Sequence, residues 1–236
     1  MGRAHEVRAA SMAKTAAAKS KLNNKWSKII YMAAKAGVPD PELNQPLKKE
    51  IEKAKKEQVT ADVIKRAIEK AKGGSQENYS PIRYEAFGPN NSMFIIDCLT
   101  DNVNRTVSLI RAALNKTSAK MGAMGSVAFM YDNLSVVSFK GLTEDETLEA
   151  LIEAGVDADI ELQGENIVLY GKPSDLYAIK EAITSKKEVE FEVDEITMIP
   201  KDTVTLEGEA LEDFNKLLTM LDEIEDVNHV YHNVNL

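Results

Sequence analysis

Residues 84–106 read YEAFGPNNSMFIIDCLTDNVNRT, which is a strand end, a turn, an apolar strand and a helix entrance in succession. Pro89 presets one backbone angle and Asn90 and Asn91 tolerate left-handed geometry, so Gly88-Pro89-Asn90-Asn91 should fold the flanking runs back on each other. The run Ser92 to Leu99 has an unbroken apolar centre, Met93-Phe94-Ile95-Ile96. That pattern suits a strand buried on both faces better than an alternating, half-exposed one. Asp101, Asn102 and Asn104 then offer N-cap oxygens to a helix carrying Val107, Leu109, Ile110 and Leu114.

The polar run after the strand has two readings. Asp97, Asp101, Asn104 and Arg105 could form a binding constellation at the carboxyl end of a strand, where α/β ligand sites often lie. Capping and turn chemistry explains the same residues without a ligand. Asn102, Asn104 and Arg105 are therefore retained as possible partner contacts.

Outward from this stretch the chain changes character. Residues 1–72 carry 17 Lys or Arg against 8 Asp or Glu, a net of +9, whereas residues 73–236 carry 12 against 30, a net of −18. The overall charge of −9 conceals a polyanion-facing module joined to an acidic remainder. With 236 residues and 44% hydrophobic content the chain can bury two or three modest cores. No run approaches the ~20 apolar residues of a membrane span and no apolar leader is evident, so the expected compartment is the cytoplasm. The lone Cys98 has no partner for an internal disulfide and falls in the apolar strand, which makes it an inert buried thiol.

On the N-terminal side, Met1 to Ser20 is rich in Ala and Lys with few large apolar residues, and reads as a mobile basic arm with helical propensity. From Lys21, the residues Leu22, Trp26, Ile29 and Ala33 mark one helix face, ended by Gly37. Lys14, Lys21, Lys25, Lys28 and Lys35 fall in one stripe beside that face. A second helix starting near Asp40 or Asn44 buries Leu47, Ile51 and Ala54; a third, entered at Thr60, buries Val63, Ile64, Ala67, Ile68 and Ala71. Over residues 1–35 eight basic residues face the single Glu6. Arg3, Arg8, Lys14, Lys19, Lys21, Lys25, Lys28 and Lys35 are accordingly the candidate phosphate contacts. The lysines of the second and third helices are interleaved with Glu50, Glu52, Glu57 and Glu69, and read equally well as a solvated face.

Past the polar linker SQENYS, strands and helices alternate. Strands are expected at 82–87, 93–99, 126–131, 134–139, 158–162, 166–170, 188–193 and 227–232, with helices at 103–119, 144–154, 173–185 and 209–222. Two partitions fit. Residues 134–193 form a β-α-β-β-α-β unit that could be an insert in a second unit, or the chain could run as two consecutive units with Asp132-Asn133 as a hairpin turn.

The blocks YEAFGPNNSMFIIDCLTDNVNRT, GSVAFMYD at Gly125 to Asp132 and VYHNV at Val230 to Val234 resemble the YebC family. So do AAKAGVPDPELNQPLKKEIEKAKKEQV and VIKRAIEKAKGG in the helical part. The opening MGRAHEVRAASMAKTAAAKSK, with Trp26 the only tryptophan, is closer to the YeeN-like branch. The resemblance implies an α+β chain: an N-terminal three-helix domain over 1–75, then two α/β, ferredoxin-like domains. It selects the inserted partition, with a split domain over 80–133 plus 202–236 and an inserted domain over 134–201.

Members of that family are described as DNA-binding transcriptional regulators, and others as translational activators or ribosome-associated factors that assist synthesis through proline runs. The expected partner is nucleic acid, either duplex DNA or structured RNA and the ribosome. A scaffold that binds only protein is a third possibility. No membrane, small-molecule substrate, cofactor or metal is expected. Nor is an enzyme: His5 lies in the arm, His229 and His232 point to opposite faces of a strand, Cys98 has no evident base, and no phosphate loop or zinc spacing occurs.

Overall fold

The computed structural model describes the backbone of residues 3–74 and 77–235, and side chains from residue 19 onward within those ranges. The chain divides into two compact units, one of residues 1–124 and 206–232, the other of residues 125–205 and 233–236.

The first unit begins with three helices, α1 (Arg3–Lys35), α2 (Gln45–Lys56) and α3 (Ala61–Lys72). The expected arm is the start of α1, and its side chains up to residue 18, including Arg3, Arg8 and Lys14, lie outside the described residues. Trp26, Ile30, Ala34, Leu47, Ile51, Ala54, Val59, Ile64 and Ala67 form one core. Each helix contributes residues three and four apart, as an apolar stripe requires. Asn44 fixes the α1–α2 corner. Its Oδ1 accepts from the Leu47 amide at 3.1 Å, capping α2, while its Nδ2 donates to the carbonyls of Ala33 at 3.0 Å and Val38 at 2.9 Å. Only the four residues Glu57 to Thr60 join α2 to α3, with Gln58 left-handed (φ 61°) and Val59 buried.

The same unit continues into β1 (Ser80–Phe87), β2 (Met93–Thr100), α4 (Val103–Asn115) and β3 (Lys120–Met121). Pro89–Asn91 form a short 3-10 turn with Asn90 and Asn91 at φ 48° and 62°, and β1 pairs β2 antiparallel from Phe87 opposite Met93 to Ser80 opposite Thr100. Phe94, Ile95 and Ile96 have no exposed surface, so β2 is buried on both sides as its composition requires.

The second unit holds β4 (Tyr131–Phe139), α5 (Glu144–Ala154), β5 (Ala158–Gln163), β6 (Asn166–Gly171), α6 (Leu176–Lys186), β7 (Phe191–Pro200) and β8 (Val204–Thr205). Its main sheet has the order β5-β6-β4-β7, all antiparallel. That is the β-α-β-β-α-β arrangement expected for a ferredoxin-like domain. Expectation and structure differ at its entrance. Residues 126–130 do not form a strand; Ala128–Met130 make a 3-10 turn, Tyr131 opens β4, and Asp132 and Asn133 pair with Ile199 and Met198 inside it instead of turning. Pairing with β7 that runs unbroken from Tyr131 to Ser138 overrides the turn preference of Asp-Asn. A Thr143–Glu146 capping box starts α5.

The chain returns to the first unit with α7 (Gly208–Asp222) and β9 (Val227–His232), and β10 (Val234–Asn235) pairs β8 in the second. In the first unit β9 completes the sheet β3-β1-β2-β9. Phe214 of α7 stacks on Phe94 at 5.3 Å and meets His232 edge-on at 5.1 Å, which places α7 over the face shared by Phe94 and His232.

Candidate nucleic-acid interface

The basic stripe of α1 points largely inward. Lys21 Nζ donates to Asp222 Oδ1 at 2.8 Å, Asn24 Nδ2 to Glu225 Oε1 at 3.3 Å, and Lys28 Nζ to Asp226 Oδ1 at 2.9 Å. The spacing of 21, 24 and 28 is one helix face, and 222, 225 and 226 are the end of α7 and the turn into β9. Further along, Lys35 Nζ donates to the Glu77 carbonyl at 3.0 Å and the Asn78 side chain at 3.1 Å. The Tyr31 hydroxyl also donates to the Glu77 carbonyl, at 3.0 Å. Residues 77–79 of the expected linker are thus packed on the bundle rather than hanging between domains.

Asp226 is the hub of this seam. It is 2% exposed. Beside Lys28 it accepts from Arg105 Nη2 at 2.8 Å and from the Thr106 hydroxyl at 2.8 Å, and the Thr106 oxygen lies 2.8 Å from that of Thr100. Burial by itself would raise the Asp226 carboxyl, but hydrogen bonds from Arg105, Lys28 and Thr106 outweigh it and hold the group below the usual aspartate value. Arg105 also bonds Asp101 at 2.8 Å. Its guanidinium is held further toward the charged form, first by the bond to Asp226 and then by that to Asp101.

Of the polar residues singled out after β2, Asn102 caps α4 by accepting from the Arg105 amide at 3.0 Å, and Arg105 belongs to the seam. The side chain of Asn104 is exposed. Asp97 forms a fork with Arg83 at 2.6 and 2.8 Å across β1 and β2. Cys98 is buried, and burial followed by the negative charges of Asp226 and Asp97 pushes its thiol up to about 12. His229 sits opposite Asp97 and His232 opposite Phe94, on the two faces of the sheet. Among the described residues no group of three or more His, Cys, Asp or Glu is placed to hold a metal ion.

The outward cations lie elsewhere on the bundle. Lys19 is exposed, and Lys25 is half-buried with its Nζ 6.0 Å from the Trp26 ring centre. On α3 the side chains of Lys65 and Arg66 are 76% and 75% exposed, each with only a long solvent-facing contact, to Glu69 at 3.9 Å and Asp62 at 3.5 Å. Lys55 of α2 and Lys72 of α3 are exposed as well. Lys55, Lys65 and Lys72 line a groove between α2 and α3 whose apolar lining includes Ile51, Ile64 and Ile68. Exposed pairs of this kind contribute little and exchange readily for other anions. Two helices joined by four residues, the second with an exposed basic face, match the connection length of a helix-turn-helix.

Comparison with known proteins bears on the same two parts. A model described as the TACO1/YebC protein N-terminal domain matches residues 3–74, and one described as the TACO1/YebC second and third domain matches residues 79–234. A probable transcriptional regulatory protein of Pseudoalteromonas translucida is 48% identical over 236 residues, covering 99% of this chain and 98% of that protein. Another of that description, from Acholeplasma laidlawii, is 49% identical over 236 residues with the same coverage. The crystal structure of a conserved hypothetical protein from Aquifex aeolicus is similar with a TM-score of 0.73 at 32% identity, over 92% of this chain and 90% of that one. Among the described residues no helix is long and apolar enough to cross a membrane. Both halves of the architecture, matched in order and along nearly the full length of these relatives, place the chain in the YebC family.

Proposed function

We propose that this chain regulates gene expression by gripping duplex DNA through the outward face of α2 and α3, with Lys19, Lys25 and the basic start of α1 adding phosphate contacts. One observation carries the reading: Lys55, Lys65, Arg66 and Lys72 are exposed around a four-residue helix–turn–helix connection, in a chain whose residues 73–236 carry a net of −18. The names of the relatives, probable transcriptional regulatory proteins, agree with it. Lys28 is left out of the contact set because it is buried against Asp226. The role is binding without a chemical step, cofactor or small-molecule substrate. Binding of the full chain to a mixed-sequence duplex should weaken with salt at a log–log slope of about 0.9 per phosphate contacted. The double reversal K65E/R66E should weaken it by at least ~tenfold. Salt-independent binding, or a double variant that binds as the native chain does, would overturn the reading.

A second reading, structured RNA on the ribosome, is favoured by the acidic remainder, since only one domain then has to approach phosphate. Sedimentation of the tagged chain with ribosomes, lost after ribonuclease, supports this reading over the DNA one. A chain with no affinity for either nucleic acid is a protein scaffold.

A further inference from the structure

Residues 125–205 carry 18 Asp or Glu against 6 Lys and no Arg. Those charges are not spread evenly over the second unit. Helices α5 and α6 cover one face of its four-stranded sheet, on which Val137, Phe139, Ile167 and Leu169 pack against Leu151, Ile179 and Ile183. Because side chains alternate along a strand, the pairing register defines the other face. One row runs Asp159, Tyr170, Val136, Glu195, and the next runs Glu161, Val168, Ser138, Val193.

Four of the six lysines of this unit are paired away from the middle of that face. Lys180 bonds Asp194 on the helix side, and Lys186 takes Glu149 at 3.3 Å and Glu153 at 2.9 Å. Lys140 lies 3.6 Å from Glu192 near the start of β7, and Lys201 lies 3.4 Å from Asp132 near the start of β4. Asp159, Glu161 and Glu195 are exposed and have no cationic partner among the described residues. Between them sits the half-buried ring of Tyr170, its hydroxyl 3.4 Å from Gln163, which also donates to Glu161 at 3.1 Å. Val193 is 37% exposed beside them.

An aromatic ring set among uncompensated carboxylates is suited to a guanidinium, which stacks on the ring while its fork donates to the acid. Lysine satisfies the charge but not the stacking geometry. Strands lie about 4.8 Å apart, so Asp159 and Glu195, three strands apart, are separated by roughly 14 Å. Residues i and i+4 of an extended chain span about 13 Å. An extended segment crossing the strands could therefore set one arginine over Tyr170 and Asp159 and another over Glu195.

We propose that the helix-free face of the β5-β6-β4-β7 sheet docks an arginine-bearing segment of a partner protein, with Tyr170 as the stacking platform and Asp159, Glu161 and Glu195 as the anchoring carboxylates. This surface is independent of the nucleic-acid reading of the bundle. The test is fluorescence anisotropy of the full chain with a labelled Gly/Ser peptide bearing arginines at i, i+2 and i+4, beside its lysine counterpart. The triple variant D159N/E161Q/E195Q should weaken arginine-peptide binding at least ~tenfold. Tyr170→Leu should weaken the arginine peptide about fivefold and the lysine peptide less, which reads out stacking. A helix-side triple of equal charge loss, D145N/E181Q/E188Q, should leave binding within twofold, and every variant should keep the native thermal midpoint and duplex binding. No binding by the native chain, equal loss in the two triples, or equal losses for both peptides in Tyr170→Leu overturns the proposal.

Discussion

Helices α1 and α3 both carry cations beside an apolar stripe, eight on α1 and four on α3, yet the structure uses the described ones in opposite ways. On α1 the stripe through Lys21, Lys28 and Lys35 is turned toward the split α/β domain and meets Asp222, Asp226, the Glu77 carbonyl and the Asn78 side chain. On α3, Lys65 and Arg66 face solvent and hold only long exposed contacts. Density of basic residues therefore does not identify a polyanion surface. What separates the two faces is whether an acidic segment elsewhere in the chain is positioned to meet them.

The largest effect should come from the inward face. Asp226→Ala leaves Lys28 and Arg105 without their shared acceptor, and breaking a buried pair from one side costs about 3–5 kcal/mol. Denaturant unfolding of the variant should show that loss, and the double variant K28M/D226L should recover part of it, because no uncompensated charge is then buried. An Asp226→Ala change of under ~1 kcal/mol would mean that packing alone holds the bundle on the sheet.

The same carboxyl gives the seam a pH dependence of defined sign. Its folded value lies below the ordinary aspartate value, so its contribution is complete above about pH 4, the unfolded value, and is lost as pH falls through the folded one. The stability difference between the native chain and Asp226→Asn should accordingly shrink as acid is added, and a constant difference across that window would sever Asp226 from the effect. The outward face should behave in reverse. K65E/R66E should stay within about 0.5 kcal/mol of native stability while nucleic-acid affinity falls, since neither side chain holds a buried partner.

Much of this was legible in the residues themselves. Gly88-Pro89-Asn90-Asn91, the apolar centre of β2 and the Asn102 cap act as their chemistry requires, because turns, caps and buried strands are set by neighbours along the chain. The entrance to β4 was misread because Asp132-Asn133 carries a local turn signal that pairing with distant Ile199 and Met198 overrides. The inward direction of the α1 stripe was hidden for the same kind of reason. A helical wheel places Lys21 and Lys28 beside the apolar face, but what they face is a turn some 200 residues later. One clue was present: Asp222, Glu223, Glu225 and Asp226 cluster at the end of α7, although a run of acids at a helix end is more often solvated.

The finest test lies at Lys21, where the two behaviours meet. Its side chain is 23% exposed, but its partner Asp222 is 87% exposed, so the pair at 2.8 Å sits at the rim of the seam rather than within it. In solvent of high dielectric such a pair contributes about 0.2–1 kcal/mol, a small fraction of what Lys28 and Asp226 contribute together. Lys21→Ala should therefore shift stability by no more than that, and less at high salt, where exposed charges are screened. If the seam ends at Asn24 and Glu225, the Lys21 ammonium is free to leave Asp222 for a phosphate, and the same variant should lower nucleic-acid affinity together with the salt slope by about one contact. If Lys21 belongs to the seam, affinity should stay unchanged while the small stability loss persists, and removing Asp222 instead should reproduce it. Measuring both quantities on Lys21→Ala and Asp222→Ala thus locates, to within one helical turn, where α1 stops serving the fold and begins to serve a partner.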